Sequence, residues 1–217
     1  MKKVLFLIVA IFSLGTCLLR SATVTAEAGN IFLVSRDGKK IQLTNAGLDS
    51  DPVLAPDGTL IVFIRQTSLT LIAAGSGKAA ANELWLIEPS GKNVRRIVRA
   101  KASEDMKQLL AGLSSPVFTP DSKKIYFLSA AWVTSNAVHS VDLATQRIGF
   151  IVAGNSLELA QTGKYSGDLI VQQHRYWLAG GSYDWFWLFE PSGQEVGAIG
   201  EDSGLANFRE TYLSEAK

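Results

Sequence analysis

Asp51-Pro52-Val53-Leu54-Ala55-Pro56-Asp57-Gly58 runs directly into Thr59-Leu60-Ile61-Val62-Phe63. The same construction returns at Ser115-Pro116-Val117-Phe118-Thr119-Pro120-Asp121-Ser122, followed by Lys123-Lys124-Ile125-Tyr126-Phe127. Six residues recur in register: proline, valine, proline, aspartate, isoleucine and phenylalanine. Internal similarity of this kind marks a repeat architecture and takes precedence over any local reading. Each copy reads as a hairpin: a short strand, a Pro-Asp turn and an alternating apolar strand. Proline fixes φ at the turn, and aspartate can bond the backbone two residues on.

A second hairpin alternates with the first. Asn30-Ile31-Phe32-Leu33-Val34-Ser35-Arg36-Asp37-Gly38 leads into Lys40–Thr44, and Glu83-Leu84-Trp85-Leu86-Ile87-Glu88-Pro89-Ser90-Gly91 leads into Val94–Val98. Asp184-Trp185-Phe186-Trp187-Leu188-Phe189-Glu190-Pro191-Ser192-Gly193 leads into Glu195–Ile199, and Ala137–Phe150 is a weaker copy. Two hairpins in series make a four-stranded antiparallel blade, the unit of a β-propeller.

The alternation resembles the TolB-like, or PD40 (WD40-like), propeller repeat, which also occurs in the N-terminal propellers of prolyl-oligopeptidase-type peptidases. The likeness spans residues 30–200. It is strongest at 51–98 and 115–128 and weakest at 156–172, where Gln161-Thr162-Gly163 replaces the Pro-Asp turn. The expected fold is all-β: a propeller of about four antiparallel four-stranded blades over residues 30–217, either a minimal closed ring or an open fragment. An outer hairpin at 30–44 opens it, and full blades follow at 51–98, 115–152 and 156–200. Ala206–Leu213 offers one strand toward closing the ring. An open arc leaves strand edges that invite pairing with another chain, so self-association is expected. The resemblance implies a binding role with protein partners in the bacterial envelope.

Met1-Lys2-Lys3, the apolar run Val4–Leu14 and the small residues that follow read as a secretory signal over residues 1–26. Cleavage after Ala26 or Ala28 satisfies the small-residue rule. Leu14-Gly15-Thr16-Cys17 also resembles a lipoprotein cleavage box, with lipid on Cys17. An uncleaved anchor is the third reading, although Val4–Leu19 falls short of the roughly 20 residues that span a bilayer. The expected location is the periplasm or the exterior, with membrane contact only through a lipidated Cys17 or an uncleaved signal. The chain carries 21 basic and 20 acidic side chains. Removing residues 1–26 takes Lys2, Lys3 and Arg20 and no acid, leaving a net charge of −2. That balance argues against nucleic acid as a partner. Cys17 is the single cysteine, so the mature chain would hold no disulfide.

Strand alternation places both hairpin turns of every blade on one face and all other connections on the opposite face. The long segments Gln66–Asn82, Arg99–Ser115 and Gln173–Tyr183 therefore share a face, where binding is expected. Met106, Leu109 and Leu110 at helical spacing predict a short helix over Ser103–Ala111, ended by Gly112. The candidate binding residues are Glu104, Asp105, Lys107, Trp132, His174, Arg175, Tyr176 and Trp177. A protein is the expected partner; the alternative is a glycan or small ligand held by His174, Tyr176 and Trp177 at a channel mouth. Less favoured is carboxylate enzyme chemistry on Glu104 or Asp105.

Gly180-Gly181-Ser182-Tyr183-Asp184 lacks the last glycine of a nucleophile elbow, and no histidine follows Ser182. Gly75-Ser76-Gly77-Lys78 is followed by Ala79, not Ser or Thr, and reads as a loop tip and not a phosphate loop. The two histidines, His139 and His174, are too few for a zinc site, and His139 on a strand reads as structural. Trp85, Trp185 and Trp187 alternate on strands and read as core. Asp49 and Asp51, near Asn45, suggest calcium or, better, an inter-blade aspartate bonding backbone amides. No catalytic residue, metal or cofactor is expected.

Overall fold

The computed structural model describes residues 22–214, apart from 76. Fifteen strands form four antiparallel sheets. The first holds β1 (Thr23–Glu27), β2 (Asn30–Val34) and β3 (Lys40–Gln42). The second holds β4 (Asp49–Leu54), β5 (Ile61–Ala74), β6 (Gly77–Ile87) and β7 (Arg95–Val98). The third runs through β8 (Ser114–Phe118), β9 (Lys124–Ser129), β10 (Ala137–Asp142) and β11 (Ile148–Ala153). The fourth runs through β12 (Glu158–Leu159), β13 (Leu169–Tyr176), β14 (Ser182–Phe189) and β15 (Glu195–Gly200). In every sheet the strands neighbour one another in chain order. This is the blade arrangement expected from the repeats.

The repeated residues adopt repeated geometry. Asp57 Oδ1 accepts the Thr59 N–H at 2.9 Å, and Asp121 Oδ1 accepts the Lys123 N–H at 3.1 Å. The next residue has positive φ in both turns, +74° at Gly58 and +58° at Ser122. Asp51 and Ser115, each just before a proline, have φ of +49° and +51°. Both sit where the pairing of the blade's first two strands slips, between Ser50 and Val53 and between Ser114 and Val117. Proline has no N–H to lose at such a bulge, which explains its recurrence there.

Packing proceeds blade to blade. Ile31 and Leu33 of the first sheet meet Ile61, Phe63 and Ile87 of the second. The opposite face of the second, with Val62, Ile64, Leu84 and Leu86, meets Phe118, Ile125, Phe127 and Val141 of the third. Tyr126, Leu128 and Val138 then meet Leu169, Val171 and Phe189 of the fourth. Each such side chain contributes about 1.5–3 kcal/mol by leaving water. Among the described residues none of these clusters joins the first sheet to the fourth, so the propeller is open.

Both ends carry elements that the repeat pattern does not specify. At the start, β1 pairs with β2 over five residues, from Thr23↔Val34 to Glu27↔Asn30. Ala22 and Val24 pack on the Ile31–Leu33 cluster. Four residues of this strand fall inside the segment read as a signal peptide, and a cut after Ala26 or Ala28 would remove the strand. Cys17 and the rest of 1–21 lie outside the described residues. At the other end, Ala206–Leu213 is not a strand. Asp202–Phe208 is a helix, α1, continued by a π-helical turn over Arg209–Leu213. Leu205, Phe208 and Leu213 pack with Ile170, Leu188 and Ile199 on the face of the fourth sheet that a fifth blade would occupy. Apolar residues at 205, 208 and 213 satisfy that face from a helix, so no ring-closing strand forms.

Candidate binding face

The connections converge as strand alternation requires. The N–H of Gly112 donates to Ala80 O at 2.7 Å, and that of Ala130 to Ala111 O at 2.9 Å. Asn155 Nδ2 donates to Thr134 O at 2.9 Å, and its N–H to Gln172 O at 2.7 Å. The turn of the β5–β6 ribbon presses on Trp132: a Cβ on Gly75 would lie 2.9 Å from the Trp132 backbone. The expected helix at Ser103–Ala111 is absent. That segment is a turn closed by a two-way bridge between Lys101 and Leu110, at 2.8 and 2.9 Å. Asp105 selects the turn, because its Oδ1 accepts the Lys107 N–H at 3.0 Å. Leu109 and Leu110 are buried by this hairpin, so their spacing reports a core contact and not a helical stripe.

The eight candidate residues fall into two groups. Asp105 and Lys107 line a cavity of about 500 Å³ with Lys101, Gln108, Leu110, His139, Ile148 and Phe150. Trp132 stands edge-on to Phe150, with ring centroids 6.0 Å apart, and Lys107 Nζ lies 5.4 Å from the Phe150 ring. Glu104 is not among these residues and lines a different cavity, with Ile72 and Ala73 of the β5–β6 ribbon. His139, buried, forms part of the cavity wall. Its Nε2 faces the carbonyl of Lys107 at 3.0 Å and its Nδ1 faces Ser129 Oγ at 3.1 Å. A carbonyl only accepts, so Nε2 carries the proton and Nδ1 accepts from the hydroxyl. Burial holds the imidazole pKa below its ordinary value, so the residue is neutral.

The second group lies on the β13–β14 hairpin, and the pleat divides it. His174 faces Asp184, with Nδ1 and Oδ1 2.9 Å apart, and its ring meets Tyr176 edge-on at 5.0 Å. These side chains share the face on which α1 packs. Arg175 lies on the other face, 3.5 Å over the Trp187 ring, and bonds Gln173 Oε1 and Glu195 Oε2. Trp177 stacks on Tyr183 at 4.2 Å and meets Trp185 edge-on at 5.7 Å. Trp177 and the His174–Tyr176 pair therefore do not form one pocket. Trp185 belongs to this aromatic cluster, whereas Trp85 and Trp187 pack against core clusters. At the hairpin's end Tyr176 is 66% exposed, Trp177 is 50% exposed and Leu178 is open to solvent. Ser182 begins strand β14 opposite Tyr176, a hairpin position without the strand-to-helix turn of a nucleophile elbow.

Asp49 takes neither of the roles first expected. Its buried carboxylate is bidentate to Arg65, at 2.5 and 2.7 Å, and the guanidinium rests on Phe63 and Trp85. Phe150, Tyr183 and Asp184 were missed as site residues. Cross-strand register would have brought Tyr183 beside Arg175 and Asp184 beside His174.

No protein-family model and no curated protein matches the sequence. Solved structures do share its shape. TolB of Acinetobacter baumannii superposes with a TM-score of 0.57 at 15% identity, over 83% of this chain and 41% of that one. Dipeptidyl peptidase 4 of Porphyromonas gingivalis gives 0.55 at 11% identity, over 83% and 31%. The β-propeller domain of the Trilobed protease of Pyrococcus furiosus, described as having an open velcro topology, gives 0.50 at 12%, over 81% and 52%. The chain thus spans about half or less of each. At these identities the likeness shows the propeller fold alone, and two of these three proteins carry peptidase or protease names.

Proposed function

We propose that this chain is an exported, non-enzymatic binding module of the bacterial envelope that docks a protein partner on its connection face. The observation that carries this reading is the exposed Tyr176-Trp177-Leu178 tip, held by the two-stranded β13–β14 scaffold. Leu69 on the β5 ribbon and Val133 on the β9–β10 connection are further exposed apolar side chains on the same face. Aromatic anchors on a rigid support are what interface centres are made of.

The polarity of the first sheet supports the same face. Thr23 pairs with Val34, directly before the Asp37–Gly38 turn, so the chain enters the fold at the turn face. Residue 22 therefore lies at the turn face, opposite the connection face. The strand also favours processing upstream of Ala22, at Cys17 or not at all, over the cuts after Ala26 and Ala28.

Photo-crosslinking in the native envelope tests the proposal. A crosslinker at position 176 or 178 is expected to give a discrete protein adduct, and one at Arg36 on the turn face none. Adducts from Arg36 alone, or persistence of the 178 adduct in Trp177→Ser, would overturn it. The stacked Trp177–Tyr183–Trp185 cluster supports a glycan as the second reading. Saturable quenching of tryptophan fluorescence by a sugar, lost in Trp177→Ala, would favour that reading instead.

A further inference from the structure

The cavity beneath the Lys101–Leu110 hairpin is distinct from the aromatic tip and has its own chemistry. Its size, about 500 Å³, is that of a small-molecule site. One wall is apolar: Leu110 is buried, while Ile148 and Phe150 are partly open to the cavity. The other wall presents Lys101, Lys107 and Asp105.

The charges on this wall are unequal. Asp105 is committed to its own loop, its Oδ1 accepting the Lys107 N–H and its Oδ2 accepting Gln108 Nε2, both at 3.0 Å. Lys101 Nζ has only the neutral Gln108 Oε1 at 3.4 Å, and Lys107 Nζ lies over the Phe150 ring. Among the ion pairs of the described residues, neither lysine has a carboxylate partner. His139 adds no charge. The wall therefore holds one uncompensated positive charge beside an aromatic ring.

The loop bearing these groups is fixed at two points. The Lys101–Leu110 bridge closes it. His139 holds the Lys107 carbonyl, and Ser129 Oγ, whose single proton goes to that imidazole, lies 3.1 Å from Leu109 O. A ligand entering here meets a backbone already in place, which lowers the ordering cost of binding.

We infer that this cavity binds a small monocarboxylate with an apolar or aromatic body, its carboxylate between Lys101 and Lys107 and its body against Phe150 and Ile148. A dianion would exceed the net charge of the wall and crowd Asp105; a neutral molecule would leave the two ammonium groups unused. The ammonium of Lys107, now over Phe150, would pass to the carboxylate and free the ring face for the ligand.

The probes are 3-phenylpropionate and its amide, 3-phenylpropanamide, titrated into the isotopically labelled protein and followed by amide chemical shifts. The acid is expected to shift Leu110, Ile148 and Phe150 saturably. The amide should bind about tenfold more weakly, as loss of one charge-assisted contact predicts. Lys101→Gln with Lys107→Gln should abolish that preference, and both exposed positions tolerate the change without loss of the fold. Equal binding of acid and amide, an unaltered preference in the double variant, or shifts confined to residues 176–185 would each overturn the inference. Crosslinking from position 178 is read independently, so failure here leaves the docking proposal standing and the converse also holds.

Discussion

Replacing Asn82 by alanine should be the most damaging single polar deletion at the junction between the second and third blades. Asn82 is buried in β6, and its side-chain amide meets the backbone of Leu113 as a neighbouring strand would. Nδ2 donates to Leu113 O at 2.9 Å, and the Leu113 N–H donates to Oδ1 at 2.7 Å. Only this orientation of the amide pairs both groups. Leu113 is 2% exposed, so water does not readily replace either bond. Orphaning a buried backbone group costs about 1–3 kcal/mol, and two are orphaned. With partial relaxation of the Leu113 backbone, the net loss in Asn82→Ala should be about 2–4 kcal/mol. A chain of this size loses roughly 2–4 °C in Tm per kcal/mol, so Tm should fall by about 4–16 °C. Urea unfolding should show a lower midpoint with an unchanged slope. Asn82→Asp should not rescue, because its second oxygen would oppose the Leu113 carbonyl. A loss under about 1 kcal/mol would show that the Asn82–Leu113 bridge is dispensable and that apolar packing alone joins these blades.

Three further outcomes follow from other contacts. Deleting residues 1–26 should lower the unfolding free energy relative to deleting 1–21 by about 2 kcal/mol, read as a lower urea midpoint, since β1 and the Val24 contact are lost; equal midpoints would mean β1 adds nothing to the blade. Arg65→Met should cost about 3–5 kcal/mol by stranding the buried Asp49 carboxylate, and adding Asp49→Leu should recover most of it; no recovery in the double variant refutes the pairing account. For His139, burial makes the folded imidazole a weaker base than the unfolded one, whose pKa is 6.5. The unfolded chain therefore gains protons first as pH falls, so stability from this residue is full above about 6.5 and declines below it. Urea midpoints at pH 7.5 and 5.5 should differ in the parent and converge in His139→Gln, and parallel profiles would refute it. The carboxylates held below their ordinary range by local hydrogen bonds, Asp37, Glu88, Asp121 and Asp142, titrate at lower pH, whereas burial and Glu190 push the Asp168 carboxyl up toward this window.

Local chemistry repeated along the chain is legible without coordinates. The Pro-Asp turns at 56–57 and 120–121, the Gly-bearing hairpins and the alternating strands specify antiparallel pairs from neighbouring residues, and those pairs formed as read. The common face of the long connections is legible too, because it follows from strand direction alone. Segments whose conformation depends on what lies across from them were not. Ser103–Ala111 has helical spacing, yet Asp105 and the Lys101–Leu110 bridge fold it as a hairpin over the third blade. Ala206–Leu213 could have been a strand; the uncovered face of the fourth sheet drew it into a helix that buries Leu205 and Phe208.

The same division runs through the candidate site. Sequence placed His174, Arg175, Tyr176 and Trp177 side by side, but the pleat sends alternate side chains to opposite faces, and only the register with β14 decides their partners. Likewise Lys107 and Phe150 stand 43 positions apart in the chain, and no periodicity links them. Turns and strands are set by forces within a few residues, which a sequence displays directly. Cavities and charge partners are set by which blades meet, and that is decided only when the whole arc packs.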